Sequence, residues 1–133
     1  MEKKTFKPEI ESVYRIQKFV KSGLSLEAVN HKKSFAIDLI IEELLVNIVT
    51  HGIKDLKTGV IAVCTGIEDE TLYIGISDNG PAFNPLEEKD PDIFVSLEDR
   101  QIGGLGIYLV KQFVKDIQYE RKDQKNLIRL WIA

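Results

Sequence analysis

Apolar residues recur at helical spacing in four stretches of the chain. The first, from Glu9 to Ser22, predicts an amphipathic helix that ends at Gly23. A short helix from Ser25 to Asn30 and a longer, more apolar one from Ser34 to about His51 follow, each beginning at a serine suited to the N-cap position. The last stretch, Leu105 to Lys115, again carries its apolar residues on one face, which predicts a fourth helix.

Two pairs of segments have the composition of β-strands and are separated by short turns, which predicts two β-hairpins. Thr58 to Gly66 and Thr71 to Ser77 are rich in β-branched residues. The second pair, Ile117 to Arg121 and Leu127 to Ile132, is joined by a turn across Asp123 to Asn126. Helices and strands that are grouped in this way predict a two-layer α/β sandwich in one domain, with helices on one face of a mixed, mostly antiparallel sheet.

The longest predicted helix carries polar side chains within an apolar stretch. Glu43, Asn47 and then Thr50 or His51 recur at steps of three and four, so they share one side of the helix. The amide oxygen of Asn47 suits Mg²⁺, and Glu43 is expected to have a raised pKa and to act as a general base. The alternative interpretation is a helix face that is simply solvated.

Asp78-Asn79-Gly80 ends a predicted strand and opens a long irregular loop over residues 79–103. An Asn-Gly pair often marks a hairpin turn, but Pro81 and Pro85 remove the backbone donors that a following strand needs. Asp78 is therefore expected to close a buried strand. Its carboxylate can accept a hydrogen bond from an exocyclic amine such as that of adenine, and Gly80 lets a ring approach the backbone.

Gly103-Gly104-Leu105-Gly106 leads directly into the last predicted helix. Backbone N–H groups and the helix dipole at such a position favour an anion, and phosphate is the natural guest. The alternative is a flexible turn marked by glycine. The other common phosphate-binding patterns, the P-loop and the dinucleotide fingerprint, do not fit this sequence.

Composition and charge narrow the class of protein. The 133 residues carry a formal net charge of −3 and a pI near 5.4, which argues against nucleic acid as the main partner. Cys64 is the only cysteine, so an intrachain disulfide and a cysteine-built zinc site are excluded and a reducing cytoplasm is expected. The charged segment Met1 to Phe6 and the acids within the most apolar run predict neither export nor a membrane span.

Three motifs in this order resemble the nucleotide-binding boxes of the GHKL superfamily of ATPases and kinases: Glu43-Leu44-Leu45-Val46-Asn47 with His51-Gly52, then Asp78-Asn79-Gly80-Pro81-Ala82-Phe83-Asn84-Pro85, then Gly103-Gly104-Leu105-Gly106-Ile107. Within the superfamily the chain is most similar to the anti-sigma factor serine/threonine kinases. The resemblance extends from about Arg15 to the C-terminus and includes Tyr119 to Asp123 and Asn126. Gln124 stands where the most similar members often have glycine.

The resemblance implies a Bergerat-type site for ATP and Mg²⁺. In that site Glu43 is the general base, Asn47 binds Mg²⁺ and Asp78 holds the adenine amine, while residues from about Asp92 to Gln101 form a lid over ATP. The full set of nucleotide-binding residues that the resemblance predicts is Asn47, His51, Asp78, Gly80, Phe83, Arg100, Gly103, Gly104, Leu105 and Gly106.

The resemblance also implies a protein kinase that phosphorylates a serine or threonine on an anti-anti-sigma (STAS) partner, sequesters a sigma factor and forms a homodimer. Arg15 stands where family members have an arginine near the phosphate and partner surface, although a solvent-facing arginine is equally compatible with the helix. One alternative function is a module that binds ATP only as a conformational ligand and acts on another regulatory protein. Two others are the catalytic half of a histidine kinase, for which the chain lacks room for a histidine-bearing hairpin, and a structural protein without nucleotide.

Overall fold

The structure is a computed structural model that describes residues 1–24, 30–52, 55, 57–87 and 104–133. Its elements in chain order are β1 (Glu2–Phe6), α1 (Ser12–Ser22), α2 (His31–Asn47), β2 (Ile61–Glu68), β3 (Thr71–Asp78), α3 (Gly104–Phe113), β4 (Asp116–Lys122) and β5 (Lys125–Ile132). A π-helical turn, Ile48–Gly52, continues α2, and a 3₁₀ turn, Pro85–Glu87, follows β3. The predicted short helix from Ser25 to Asn30 and most of the predicted loop lie outside the described residues.

The described strands form one sheet in the order β1-β2-β3-β5-β4. All four strand pairings are antiparallel, so the predicted two-layer fold is confirmed with a sheet that is antiparallel rather than mixed. Side chains of β2 and β5 alternate between buried and half-buried positions, which is the pattern of a sheet packed on one face. The buried face meets apolar residues of all three helices, including Ile16, Ile40 and Ile107.

β1 is the strand that the sequence did not predict. Its five residues, Glu2–Phe6, are mostly charged and exposed, and only Phe6 is buried. The strand pairs on one side with β2 and is therefore an edge strand, where lysines are favoured because they discourage pairing with another chain. A charged edge strand lacks the apolar alternation by which strands are predicted.

Side-chain hydrogen bonds explain two other differences from the predicted boundaries. α2 begins at His31 rather than at Ser34, because the Asn30 side chain accepts a hydrogen bond from Lys33 N at 2.8 Å and caps the helix. β2 begins at Ile61 rather than at residue 58, because the Asn79 side chain forms hydrogen bonds with the backbone groups just before Ile61. The Asn79 side chain accepts from Val60 N and donates to the carbonyl of residue 58, both at 2.8 Å.

Two tight turns fix the registers of both hairpins. Asp69 and Glu70 have φ values of 49° and 64°, and Asp123 and Gln124 have φ values of 53° and 61°. Paired positive φ values are typical of a two-residue type I′ turn, which matches the right-handed twist of the flanking strands. The predicted turn across residues 123–126 was therefore too long, and Asn126 lies within β5, directly opposite Asp78 on β3.

Candidate functional site

A cleft opens between the C-terminal half of α2 and the ends of β3 and β5. It holds about 390 Å³ of space between atoms when the open solvent at its mouth is included. Most of its wall is apolar, and three polar side chains interrupt that wall. The lining residues are Leu44, Asn47, Ile48, Ile76, Asp78, Phe83, Pro85, Asn126 and Ile128.

Asp78 is a buried acid at the end of β3, with 6% of its surface exposed. Its Oδ1 accepts two hydrogen bonds, from the backbone N–H of Gly80 at 2.9 Å and from Asn126 Nδ2 at 3.1 Å. Oδ2 accepts none from the described residues, so it is the oxygen left for a ligand. Such an arrangement provides one fixed acceptor in an apolar cleft, which suits the amine of a planar base.

Asn126 is a polar residue of the cleft to which the sequence assigned no role. It is 3% exposed, and its side-chain amide makes four hydrogen bonds. Nδ2 donates to Asp78 Oδ1 and to the carbonyl of Pro81 at 2.8 Å, while Oδ1 accepts from Phe83 N at 3.2 Å and from Tyr119 Oη at 2.6 Å. Asn126 lies opposite Asp78 in the sheet, which makes these contacts possible. A prediction with a shorter turn would have placed Asn126 within the strand.

Asn47 lies at the end of the buried stripe of α2 and is 8% exposed. Its Nδ2 is fully buried and has no hydrogen-bond partner among the described residues. A buried polar group without a partner is destabilising by about 1–3 kcal/mol. An unpartnered buried N–H in the wall of a cleft is more consistent with a ligand-binding residue than with a packing residue, because an acceptor atom of a ligand would supply the missing hydrogen bond.

Glu43 lies one turn before Asn47 on α2 and is half-buried beside α3. Burial raises the pKa of the Glu43 carboxyl above its ordinary value of 4.5, and the negative charge of Glu42 raises it further. Gly106, in the first turn of α3, is packed so closely on Glu43 that a Cβ placed there would overlap the carboxylate. Only glycine therefore allows α3 to approach the acid, although Glu43 itself does not line the cleft.

The other predicted site residues are only partly described. Phe83 lines the cleft, Gly80 donates to Asp78, and Gly104 and Leu105 begin α3. His51 belongs to the π-helical turn, and its side chain is outside the described part of the structure, as are Arg100, Gly103 and the predicted lid from Asp92 to Gln101.

Arg15 is not brought to the cleft by the structure. It lies on the exposed side of α1, where its Nη1 is 3.4 Å from the carboxylate of Glu9. Exposed ion pairs of this kind contribute little to stability, so the arginine is not required by the fold. Its predicted role toward a partner remains a prediction.

The chain resembles known proteins in both sequence and fold. A profile described as the histidine kinase-like ATPase domain matches residues 6–132. The chain belongs to this family. The match covers both the α2 motif and the Asp78 motif, and it confirms the resemblance to the GHKL superfamily.

Several curated relatives are named for kinase or anti-sigma activity. The chain is 31% identical over 96 residues to the serine/threonine-protein kinase BtrW of Bordetella bronchiseptica, covering 72% of this chain and 68% of that protein. It is 34% identical over 105 residues to the serine-protein kinase RsbW of Bacillus cereus, and 27% identical over 89 residues to the anti-sigma F factor of Clostridium acetobutylicum. These matches cover 71% and 67% of this chain but only 65% and 62% of the two relatives. These names describe the relatives as serine or serine/threonine kinases and as an anti-sigma factor.

A solved structure confirms the fold independently of close sequence similarity. The histidine kinase domain of the blue-light activated histidine kinase EL346 from Erythrobacter litoralis superposes with a TM-score of 0.56 at 14% identity. The superposition covers 96% of this chain and 61% of the other. Within the described residues, no helix combines the length and apolar character that crossing a membrane requires.

Proposed function

We propose that this protein is an ATP-dependent serine/threonine kinase of the anti-sigma type. It binds ATP with Mg²⁺ in the cleft, transfers the γ-phosphoryl group to an anti-anti-sigma (STAS) partner, and sequesters a sigma factor. The observation that carries the proposal is the base end of the cleft, where a buried, fixed carboxylate stands in an apolar wall. The cytoplasm, where ATP and sigma factors meet, is the compartment in which such a kinase acts.

The base end supports ATP as the nucleotide. The adenine ring stacks among the apolar lining residues, and its exocyclic amine donates to Asp78 Oδ2. Phe83 and Ile48 are among the residues that provide apolar surface in the cleft. Hydrogen bonding to a charged acceptor in a dry site contributes about 1.5–3 kcal/mol, enough to select an amine over a carbonyl at that position.

Asn47 and the start of α3 support the phosphate end. Mg²⁺ is usually held by one or two protein oxygens together with phosphates and water, and the side-chain oxygen of Asn47 is an oxygen of this kind. The buried Nδ2 of the same amide has no partner among the described residues, so it is suited to donate to a phosphate oxygen. When bound, the ion neutralises charge on the transferring phosphoryl group. Within the described residues, no cluster of three or more acidic, histidine or cysteine side chains is placed to hold a metal ion.

Glu43 is the general base of the proposed reaction. Its carboxylate accepts the proton of the acceptor serine as that oxygen forms a bond to the γ-phosphorus, while the bond to the β,γ-bridging oxygen breaks and ADP leaves. The raised pKa of Glu43 suits this task, because proton transfer is most effective when the pKa of the base approaches the working pH. Contact with Gly106 places the Glu43 carboxylate beside the first turn of α3.

The protein partners are proposed from the relatives and from α1. We expect a STAS-domain protein and a sigma factor to bind a homodimer through a surface that includes Arg15, which is exposed and not needed for packing. Arg15→Ala should weaken partner binding and leave ATP affinity unchanged. Unchanged partner affinity would remove α1 from the proposed surface.

Calorimetric titration of the purified protein with ATP, with and without Mg²⁺, tests the nucleotide site. Wild-type protein should bind ATP more tightly with Mg²⁺, and Asp78→Asn should lose most of the affinity because an amide N–H then faces the adenine amine. A folded protein that binds no ATP would contradict the proposal. Binding without phosphorylation of any STAS domain would favour the alternative, a partner-switching module that uses ATP as a conformational ligand.

A further inference from the structure

The amide of Asn126 has every hydrogen-bonding position filled. Its two N–H groups face atoms that only accept, Asp78 Oδ1 and the Pro81 carbonyl. Its oxygen faces the N–H of Phe83, which only donates, and the hydroxyl of Tyr119. The orientation of the amide is therefore fixed by its partners, because a flipped amide would place N–H against N–H and oxygen against oxygen.

This fixed amide determines which oxygen of Asp78 a ligand can reach. Oδ1 is held by Asn126 from one strand and by Gly80 N from the loop, so the carboxylate cannot rotate without breaking both bonds. Oδ2 is then the single acceptor toward the cleft.

The same hairpin holds the loop that follows Asp78. Arg121, on β4, donates from Nη1 to the Gly80 carbonyl at 2.8 Å, while Asn126, on β5, contacts Pro81 and Phe83. Tyr119, also on β4, joins the network through its hydroxyl. The loop from Gly80 to Phe83 is thus attached to the β4–β5 hairpin at three of its four residues, and this attachment includes Phe83, which lines the cleft.

We propose that the β4–β5 hairpin, acting through Asn126 with Tyr119 and Arg121, is the positioning element that sets base selectivity in the cleft. It fixes Asp78 so that one charged acceptor faces the base. A 6-aminopurine donates to that acceptor, whereas a 6-oxopurine brings its carbonyl oxygen against it and is rejected. The inference rests on the proposed nucleotide site and adds a role for residues that need not touch the nucleotide.

The consequence is a change in selectivity as well as in affinity. Without Asn126 the Asp78 carboxylate can rotate and admit water between itself and the base, which lets a 6-oxopurine be accommodated. ATP affinity should fall while affinity for inosine triphosphate (ITP) stays nearly constant or rises. A residue that only supports the fold would lower both affinities by the same factor.

The test is calorimetric titration of ATP and ITP into wild type, Asn126→Leu, Tyr119→Phe and Arg121→Ala. We expect the ratio of ATP to ITP affinity to fall about 10-fold or more in Asn126→Leu and by a few-fold in Tyr119→Phe, which removes one hydroxyl without changing the ring. Tyr14→Phe, at an exposed tyrosine on α1, and Arg129→Ala, at the arginine of the same hairpin that pairs with Glu120, are the matched controls and should leave the ratio unchanged.

The outcomes separate the two proposals. Wild type that binds neither nucleotide would overturn the nucleotide site and the inference together. Wild type that prefers ATP, with the same ATP to ITP ratio in every variant, would overturn the inference alone. If Asn126→Leu does not fold, Tyr119→Phe decides, because a folded Tyr119→Phe protein with the wild-type ratio would also overturn it.

Discussion

The two ends of the cleft differ in how completely their polar groups are satisfied. At the base end, the amide of Asn126 and one oxygen of Asp78 are fully hydrogen-bonded. At the end that we propose for the phosphates, Asn47 has a buried amide nitrogen without a partner among the described residues. Glu43, which lies one turn earlier on α2 and outside the lining, is a half-buried acid beside another acid. The polar groups at the base end are therefore satisfied without a ligand, whereas those at the other end are energetically unfavourable in its absence.

This difference indicates how affinity and catalysis are divided in the protein. A preorganised base end gives selectivity, because its donors and acceptors need no rearrangement on binding. In the proposed site, the end at Asn47 would gain a hydrogen bond and charge compensation from phosphates and Mg²⁺, so that stability is given up there in favour of function. The predictions below test this division at single residues.

The largest expected effect is on phosphoryl transfer at Glu43. Glu43→Gln keeps the size of the side chain and removes its basicity, so the rate on a cognate STAS domain should fall about 10²- to 10⁴-fold while ATP affinity is retained. Transfer of radiolabelled phosphate measures the rate, and calorimetry measures the affinity. Glu42→Gln, at the exposed neighbour, is the control and should keep most of the activity. Equal rates in wild type and Glu43→Gln would show that Glu43 is not the base.

Gly106→Ala tests the same carboxylate from the side of α3. The added Cβ would overlap the Glu43 carboxylate, which lies at the end of a flexible side chain and would move away. A displacement of about 1 Å in a catalytic group can lower a rate about 10²-fold, and we expect a loss of that order with little change in stability. Gly23→Ala is the matched control, because an added Cβ there meets no atom closer than 3.9 Å. Full activity in Gly106→Ala would mean that the position of Glu43 is not critical.

The sequence predicted the helices of the cleft well because their signals are local. Glu43 and Asn47 are unusual residue types for an apolar helix, and Asp78 is followed by glycine and two prolines, so each residue was identified before its surroundings were known. The structure then places Asn47, Asp78 and Phe83 in one cleft, a long-range relation that spacing along the chain does not contain.

Asn126 was missed because a turn was predicted one pair of residues too long. Asp123 and Gln124 both adopt positive φ. Glutamine seldom does so, and a two-residue turn was therefore not expected at this position. The register that follows is set by pairing with β3 and places Asn126 opposite Asp78. Charged β1 was missed for a similar reason, because its place is decided by pairing with β2 rather than by its own pattern.

Leucine substitutions of the two asparagines should have opposite effects on stability. Asn47→Leu removes a buried N–H that lacks a partner, so the free energy of unfolding without ligand should rise by about 1 kcal/mol. Asn126→Leu breaks four hydrogen bonds and leaves their partners buried, so the same quantity should fall by about 2–4 kcal/mol. Urea unfolding at pH 7 measures both.

The change in Tm on adding nucleotide is a second test of the role proposed for Asn47. Addition of ATP with Mg²⁺ should raise the Tm of wild type but raise that of Asn47→Leu much less, because the amide oxygen that we assign to Mg²⁺ is gone. A destabilised Asn47→Leu protein would mean that the Asn47 amide is satisfied in the free protein, and that the two ends of the cleft are equally preorganised.

The smallest expected effect is the pH dependence that Glu43 imposes on stability. Burial and the charge of Glu42 raise the pKa of this carboxyl above 4.5 in the folded protein. Between 4.5 and that raised pKa the folded protein holds a proton that the unfolded chain has released, so the Glu43 contribution to the free energy of unfolding falls as the pH rises through this interval. Glu43→Gln cannot ionise, so its stability relative to wild type should increase over the same interval, as urea unfolding from pH 4 to pH 8 would measure.

Glu42→Gln removes the like charge and leaves the burial of Glu43, so its stability relative to wild type should show a smaller increase of the same sign. A difference between Glu43→Gln and wild type that does not change with pH would mean that the Glu43 carboxylate is already compensated in the free protein, and the contrast between the two ends of the cleft would then rest on Asn47 alone.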